Sequence, residues 1–300
     1  MSRRSLLALT LALGACGGSS QPPQPPPPAA ASATPAPPPA PATSADPLGP
    51  RPIPKPPTAF TPPAPRVLEG PGKSKVWLLE RHGLPLVTIA VVVPYGSAAE
   101  PPEKAGLSFA TADMLDEGAG KLDALGFSQA LNDLGAKFAS STDRDSSIVS
   151  LQLLTSKLDQ GLPLLADAVI RPKHDKKDWT RVSTLWNNAL KNRAHDPNDV
   201  ARVVTSLLYY GDKHPYGHPP DGTLESAKRI QLGDISKWHR TIWRPDEASF
   251  VVVGDVTAEQ ITAKLAGAFA GWKPPPGAPL KVVDPPAVTS DGLRTFVVDK

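Results

Sequence analysis

The sequence predicts an α+β domain in which helices pack on one face of a largely antiparallel sheet. Three observations predict it. Short β-branched runs come in pairs, amphipathic helices cluster in the middle of the chain, and strands and helices lack the regular βαβ rhythm of a parallel sheet.

The first paired runs are residues 75–80 and 86–93, separated by Arg81-His82-Gly83-Leu84-Pro85, a segment that reads as a hairpin turn. A helical stretch follows over about 104–115, and a second over 128–134 ends at Gly135. Residues 137–141 and 146–154 form another strand pair around the polar turn Thr142-Asp143-Arg144-Asp145. Val182, Leu185, Trp186, Ala189 and Leu190 recur at helical spacing, and so do Val200, Val203, Val204, Leu207 and Leu208. Asp196-Pro197 breaks and caps between these two helices, and Gly211 closes the second. A helix from about 233 to 242 stops before Arg244-Pro245, a strand over 249–253 is stopped by Gly254-Asp255, and a last helix runs over 257–269. Residues 294–298 read as the beginning of a further strand.

Composition sets the organisation around this domain. The chain has 300 residues, 38 prolines and one cysteine, so neither a disulfide scaffold nor a multi-cysteine zinc module fits. Twenty prolines fall in residues 17–65, where Asp46, Arg51 and Lys55 are the only charges and large apolar side chains are few. Such a segment cannot bury enough surface to fold. As extended polyproline II it would reach about 150 Å. At the amino terminus Arg3 and Arg4 precede an apolar run over 6–13, a secretory signal too short to span a bilayer. Leu13-Gly14-Ala15-Cys16 resembles the lipobox of bacterial lipoproteins, which implies lipidation of Cys16 and residence in the bacterial cell envelope, on the outer membrane facing the periplasm. The expected organisation is a signal over 1–15, a tether over 16–65, the α+β domain over 66–278, and a linker over 279–300 carrying the first strand of a second, similar domain. The net charge of +3 falls to about +1 without Arg3 and Arg4, and no Lys/Arg block provides a nucleic-acid footprint.

Several separated motifs carry a resemblance. Tyr95-Gly96-Ser97-Ala98-Ala99-Glu100-Pro101, Lys104-Ala105-Gly106-Leu107, His214-Pro215-Tyr216-Gly217, Gly222-Thr223-Leu224-Glu225-Ser226, Ile235-Ser236-Lys237-Trp238-His239 and Ser249-Phe250-Val251-Val252-Val253-Gly254-Asp255 occur in the order found in the pitrilysin/insulinase metallopeptidases. The resemblance covers about residues 68–272 and implies the fold of that family's metallohydrolase domain. Active members bind zinc through H-x-x-E-H on one helix and a downstream glutamate, the first glutamate activating the metal-bound water. Carried onto this chain, the three helix positions are Phe109, Ala112 and Asp113, and the downstream position is Asn187 or Asn188. Phe and Ala offer no donor atom, a neutral amide is a poor zinc ligand, and no acidic residue lies between Asp178 and Asp196. No histidine occurs between His82 and His174, so a shift of register does not restore the motif.

The resemblance therefore implies a non-catalytic homologue with no zinc of its own. It would complete a peptide-binding chamber with a zinc-bearing homologous subunit and hold peptides or unfolded polypeptides. Two alternatives stay open: an active zinc metalloendopeptidase with unrecognised ligands, and an envelope scaffold that binds peptides without a peptidase partner. Other constellations carry less. His214 and His218, with Asp212 and Asp221 nearby, are separated by Pro215 and Gly217, which break a shared helical face. Ser108 reads as a helix start, His82, His174, His195 and His239 as isolated, and Asp143 and Asp145 as turn acids. The six tryptophans read as packing.

Overall fold

In a computed structural model, residues 59–281 are described continuously, together with residues 49, 53, 287, 292 and 295–297. The chain divides into residues 1–59 and 60–300, and the fold belongs to the second unit. Cys16 and the signal segment lie outside the described residues, as does most of the tether. Of the expected strand over 294–298 only residues 295–297 are described, outside any regular element.

The elements in order are β1 (Arg66–Glu69), β2 (Lys75–Glu80), β3 (Leu86–Val93), α1 (Leu107–Asp113), β4 (Gly118–Ala119), β5 (Leu122–Asp123), α2 (Ala124–Asp133), β6 (Lys137–Thr142), β7 (Ser147–Leu154), α3 (Leu158–Ile170), α4 (Lys176–Arg193), α5 (Pro197–Tyr210), α6 (Leu224–Ala227), α7 (Leu232–Ile242), β8 (Ser249–Gly254) and α8 (Ala258–Ala268). Six strands form one sheet in the order β1-β2-β8-β3-β7-β6. Every neighbouring pair is antiparallel except β2 and β8, which run parallel.

This order corrects one expectation. β2 and β3 have the bounds read from the sequence but are not a hairpin, because β8 lies between them. The connection instead straddles the end of β8: Arg81 N–H donates to the Gly254 carbonyl (2.8 Å) and Asp255 N–H to the Leu86 carbonyl (2.9 Å). Only glycine admits this crossing, since Gly254 has φ +148° and a Cβ there would lie 2.2 Å from the Leu86 carbonyl oxygen.

Alternation along the strands places the core. Val76 and Leu78, Val87, Ile89, Val91 and Val93, Val149, Leu151 and Leu153, and Phe250 and Val252 are buried on one face. Onto that face α1 and α3 pack against β7, α3 against α8, and α1 against α7. Burying each large apolar side chain contributes about 1.5–3 kcal/mol. Among the described residues the opposite face is open, with Trp77, Leu86, Leu154, Val251 and Val253 partly exposed. The α+β architecture with helices on one sheet face is thus the one read from the sequence.

Two helices differ from expectation. α3, unassigned from the sequence, buries Leu158, Leu162, Leu165, Ala166 and Val169 despite Pro163 inside it. α5 has the capping read from the sequence, with Asp196 accepting from the Asn198 N–H (2.7 Å), but buries none of its residues, and Leu207, Leu208 and Tyr209 are exposed.

Candidate functional site

α1 is held at its start by a buried carboxylate. Glu100, 5% exposed, accepts the Gly106 N–H on Oε1 (2.6 Å) and the Ser108 N–H on Oε2 (2.7 Å), satisfying amides that the first turn leaves free. Burial pushes this carboxyl up to about 8, against the two amides that favour its ionised form. The Ser108 hydroxyl donates to the Gly96 carbonyl (3.1 Å) and accepts the Trp238 indole N–H (3.0 Å). It is therefore a packing hydroxyl, tying α1 to α7 and to the Gly96 loop. The sequence reading gave Glu100 no role beyond its motif; its signal was a carboxylate six residues ahead of Gly106.

Of the three motif positions on α1, Phe109 is half-buried, Ala112 is buried and Asp113 is exposed. The Phe109 ring meets Trp186 of α4, centroids 5.9 Å apart, and Trp186 in turn meets Trp179 at 6.5 Å. Aromatic packing thus fills the space between α1 and α4. Asn187 does not join it: its amide donates to the Ser183 carbonyl of its own helix (2.7 Å). The neighbouring Asn188 is exposed. Trp186, read as a packing residue, is the α4 side chain that meets Phe109.

Close backbone packing locks this arrangement. The Trp186 indole N–H donates to the Asp221 carbonyl (3.0 Å), and Arg193 pairs with Asp221 and donates to the Gly222 carbonyl (2.9 Å). Gly222 has φ +74°, and a Cβ there would stand 2.3 Å from the Ala105 carbonyl oxygen. The loop can press against the start of α1 only because this residue is glycine.

At the other end of α1, Asp113 sits beside Asp116 and the Glu117–Arg181 ion pair. Desolvation and the Glu117 charge push the Asp113 carboxyl up, with Arg181 pulling down. The same two influences, with Asp113 added, raise Asp116 to about 6. These residues do not fit a zinc ion: two of the motif positions lack donor atoms, and the α4 amide is committed to its own helix. Among the described residues, no group of three or more His, Cys, Asp or Glu is placed to hold a metal.

The remaining candidates have structural partners. His214 accepts the Tyr216 N–H on Nδ1 (2.9 Å) and packs against Tyr210 and Tyr216. Burial pulls His218 down. Exposed His82 lies between Asp255 (2.7 Å) and Glu80 (3.5 Å), whose hydrogen bonds raise it. Asp143 caps its turn through the Asp145 and Ser146 N–H groups (2.8 and 2.7 Å), and Asp145 accepts from the Tyr216 hydroxyl. His174 and His239, isolated in sequence, are brought into ring contact.

One further feature adjoins α1. Among the described residues β6 is an edge strand, paired only with β7, and α1 packs against both. A sheet edge offers unpaired backbone groups to an extended peptide.

Residues 75–209 match the family described as Insulinase (Peptidase family M16), and residues 229–300 match the Peptidase M16 inactive domain. A Helicobacter pylori protein named Non-peptidase homolog YmxG is 23% identical over 190 residues, covering 63% of this chain and 44% of that protein. Zinc protease PqqE, also from H. pylori, is 23% identical over 229 residues, 72% of this chain and 48% of that protein. The crystal structure of a peptidase M16 inactive domain from Pseudomonas fluorescens superposes with a TM-score of 0.69 at 23% identity, over 75% of this chain and 55% of that one. The chain spans about half the length of these proteins.

Proposed function

We propose that this chain, which belongs to the insulinase (M16) peptidase family, is a lipid-anchored, non-catalytic member that completes a peptide-binding chamber with a zinc-bearing homologous subunit. The observation that carries this reading is the aromatic contact of Phe109 with Trp186, standing between the two helices whose counterparts in active members would supply the metal ligands. Without zinc, water is not activated here by the route active members use.

What the chain offers a peptide is confinement. The outer edge of β6, unpaired among the described residues, runs beside α1, where an extended peptide gains main-chain hydrogen bonds as an added strand. The open sheet face, with Trp77 in register with Val251, adds an apolar wall. Holding a substrate in one geometry raises the rate at a second subunit's metal without contributing a base. The family holds both zinc proteases and non-peptidase homologues, and one relative of each kind comes from H. pylori, which supports a two-subunit arrangement.

The test is cleavage of an unfolded peptide by the pure chain, with and without added zinc and with chelator. The expected result is peptide binding without chelator-sensitive cleavage, and cleavage once a zinc-bearing homologue is added. Chelator-sensitive cleavage by this chain alone would favour the endopeptidase alternative that the likeness to PqqE supports; binding with no gain from any homologue would favour a scaffold. For the anchor, the resemblance of Leu13-Gly14-Ala15-Cys16 to a lipobox supports attachment to the outer membrane facing the periplasm. Cys16→Ser should move the protein from the membrane fraction to the soluble one, and retention at the membrane would contradict lipidation.

A further inference from the structure

His174 and His239 come from separate elements and meet inside the fold. His174 stands in the connection between α3 and α4, two residues before Lys176, with a left-handed φ of 48° that non-glycine residues seldom adopt. His239, 6% exposed, lies in the last turn of α7. The rings pack edge to face, centroids 5.3 Å apart at 80°. His239 Nε2–H donates to the Val169 carbonyl of α3 (3.0 Å), and Nδ1 of His174 lies 3.2 Å from the Ser236 hydroxyl of α7. The His174 Nε2 is buried with no hydrogen-bond partner among the described residues.

The same connection fastens its surroundings. Gly120 N–H donates to the Arg171 carbonyl (3.0 Å), Lys173 N–H donates to the Gly118 carbonyl (2.9 Å), and Ala119 bridges to Pro172, so β4 hangs on it. Asp175 caps α4 through the Lys177 N–H (2.8 Å). The two histidines therefore sit at the joint from which α4, and with it Trp186, departs.

The charges facing this joint are cationic or already engaged. Arg240 of α7 opposes protonation of both rings. Lys273 shares a cavity of about 190 Å³ with His239 and Arg240. On the His174 segment, Lys173 adds a positive charge, Arg171 is paired with Asp167 of α3, and Asp175 is occupied by its cap. Among the described residues, an imidazolium here gains no carboxylate.

We infer that the His174–His239 joint is an acid-sensitive latch, in which both rings are neutral while the fold is closed and protonation of either releases the α3–α4 connection from α7. Burial is the main cause that holds His174 down at about 4 and His239 at about 3. The sign follows from linkage. Both folded values lie below the unfolded value of about 6.5, so the unfolded chain binds protons first as pH falls, and stability is lost from about pH 6.5 downward. Between pH 7 and pH 5 each histidine multiplies the unfolding constant by about 20. Raised Glu100 and Asp116 act in the opposite direction over this range, so the latch is read as a difference between variants.

The experiment is denaturant unfolding of the full chain and of His174→Gln and His239→Gln at pH 7 and pH 5. Each variant should show an increase in unfolding constant about 20-fold smaller than the parent over that interval. Amide protection, corrected for intrinsic exchange, should fall at pH 5 in residues 171–180 before it falls in the sheet. An unchanged pH response in His174→Gln would overturn the latch. His174 is only half-buried, so that variant keeps the test decisive if His239→Gln does not fold. A wild-type imidazole resonance at either position titrating near pH 6.5 would overturn it as well.

Discussion

Trp186→Ala should lower folding stability by about 3–5 kcal/mol, the range for removing a large buried aromatic side chain. The indole is 4% exposed and fills the joint between α4 and the start of α1. Its loss removes the ring contacts to Phe109 and Trp179 and leaves the Asp221 carbonyl without its donor. The surroundings cannot collapse easily, because the loop at Gly222 already touches the Ala105 backbone. Trp186→Phe separates the two contributions: it keeps most of the packing, loses the N–H, and should cost about 1–2 kcal/mol. Urea unfolding of the three proteins at one pH measures both. A loss below about 1 kcal/mol for the alanine variant would mean that the aromatic contact is not a packed feature. The structural basis for a filled site would then be gone.

Much of the fold was legible because period and punctuation agreed. β2 and β3 appear with the bounds read from their β-branched, apolar runs, and Asp196-Pro197 and Gly211 bracket α5 as caps do. Pairing was less legible, since a run of β-branched residues announces a strand but not its neighbours. β8 enters between β2 and β3 from more than 150 residues downstream, and nothing in residues 81–85 forbids a hairpin. α3 was hidden for the opposite reason. The segment carries Gly161 and Pro163, residue types that weaken a helical pattern, yet a Cβ at position 161 would come 2.4 Å from the Leu153 side chain, so the glycine serves to seat the helix on β7.

At the site, residue types were legible and orientations were not. The absence of donor atoms at positions 109 and 112 is a property of the sequence alone. That Trp186 rather than Asn187 faces Phe109 depends on how α4 is rotated, and the Asn187 amide turns along its own helix. Two more features required tertiary structure: the carboxylate of Glu100 reaching both α1 amides, and the meeting of His174 with His239 across 65 positions of sequence.

The largest functional effect expected is on metal content. A zinc-bearing member of this family holds its ion with three protein ligands, and tight binding needs their full number in fixed geometry. Here Phe109 and Ala112 contribute none, Asp113 is the one donor of the three α1 positions, and α4 presents an indole. Asp113, with Asp116 and Glu117 beside it, belongs to no group placed to hold a metal among the described residues, and zinc met by so few donors would not survive dialysis. The most direct test of a non-catalytic chain is therefore zinc per chain, by elemental mass spectrometry, on untagged protein purified without chelator and dialysed. Less than about 0.1 equivalent is the predicted result. Close to one equivalent, retained after dialysis, would contradict it.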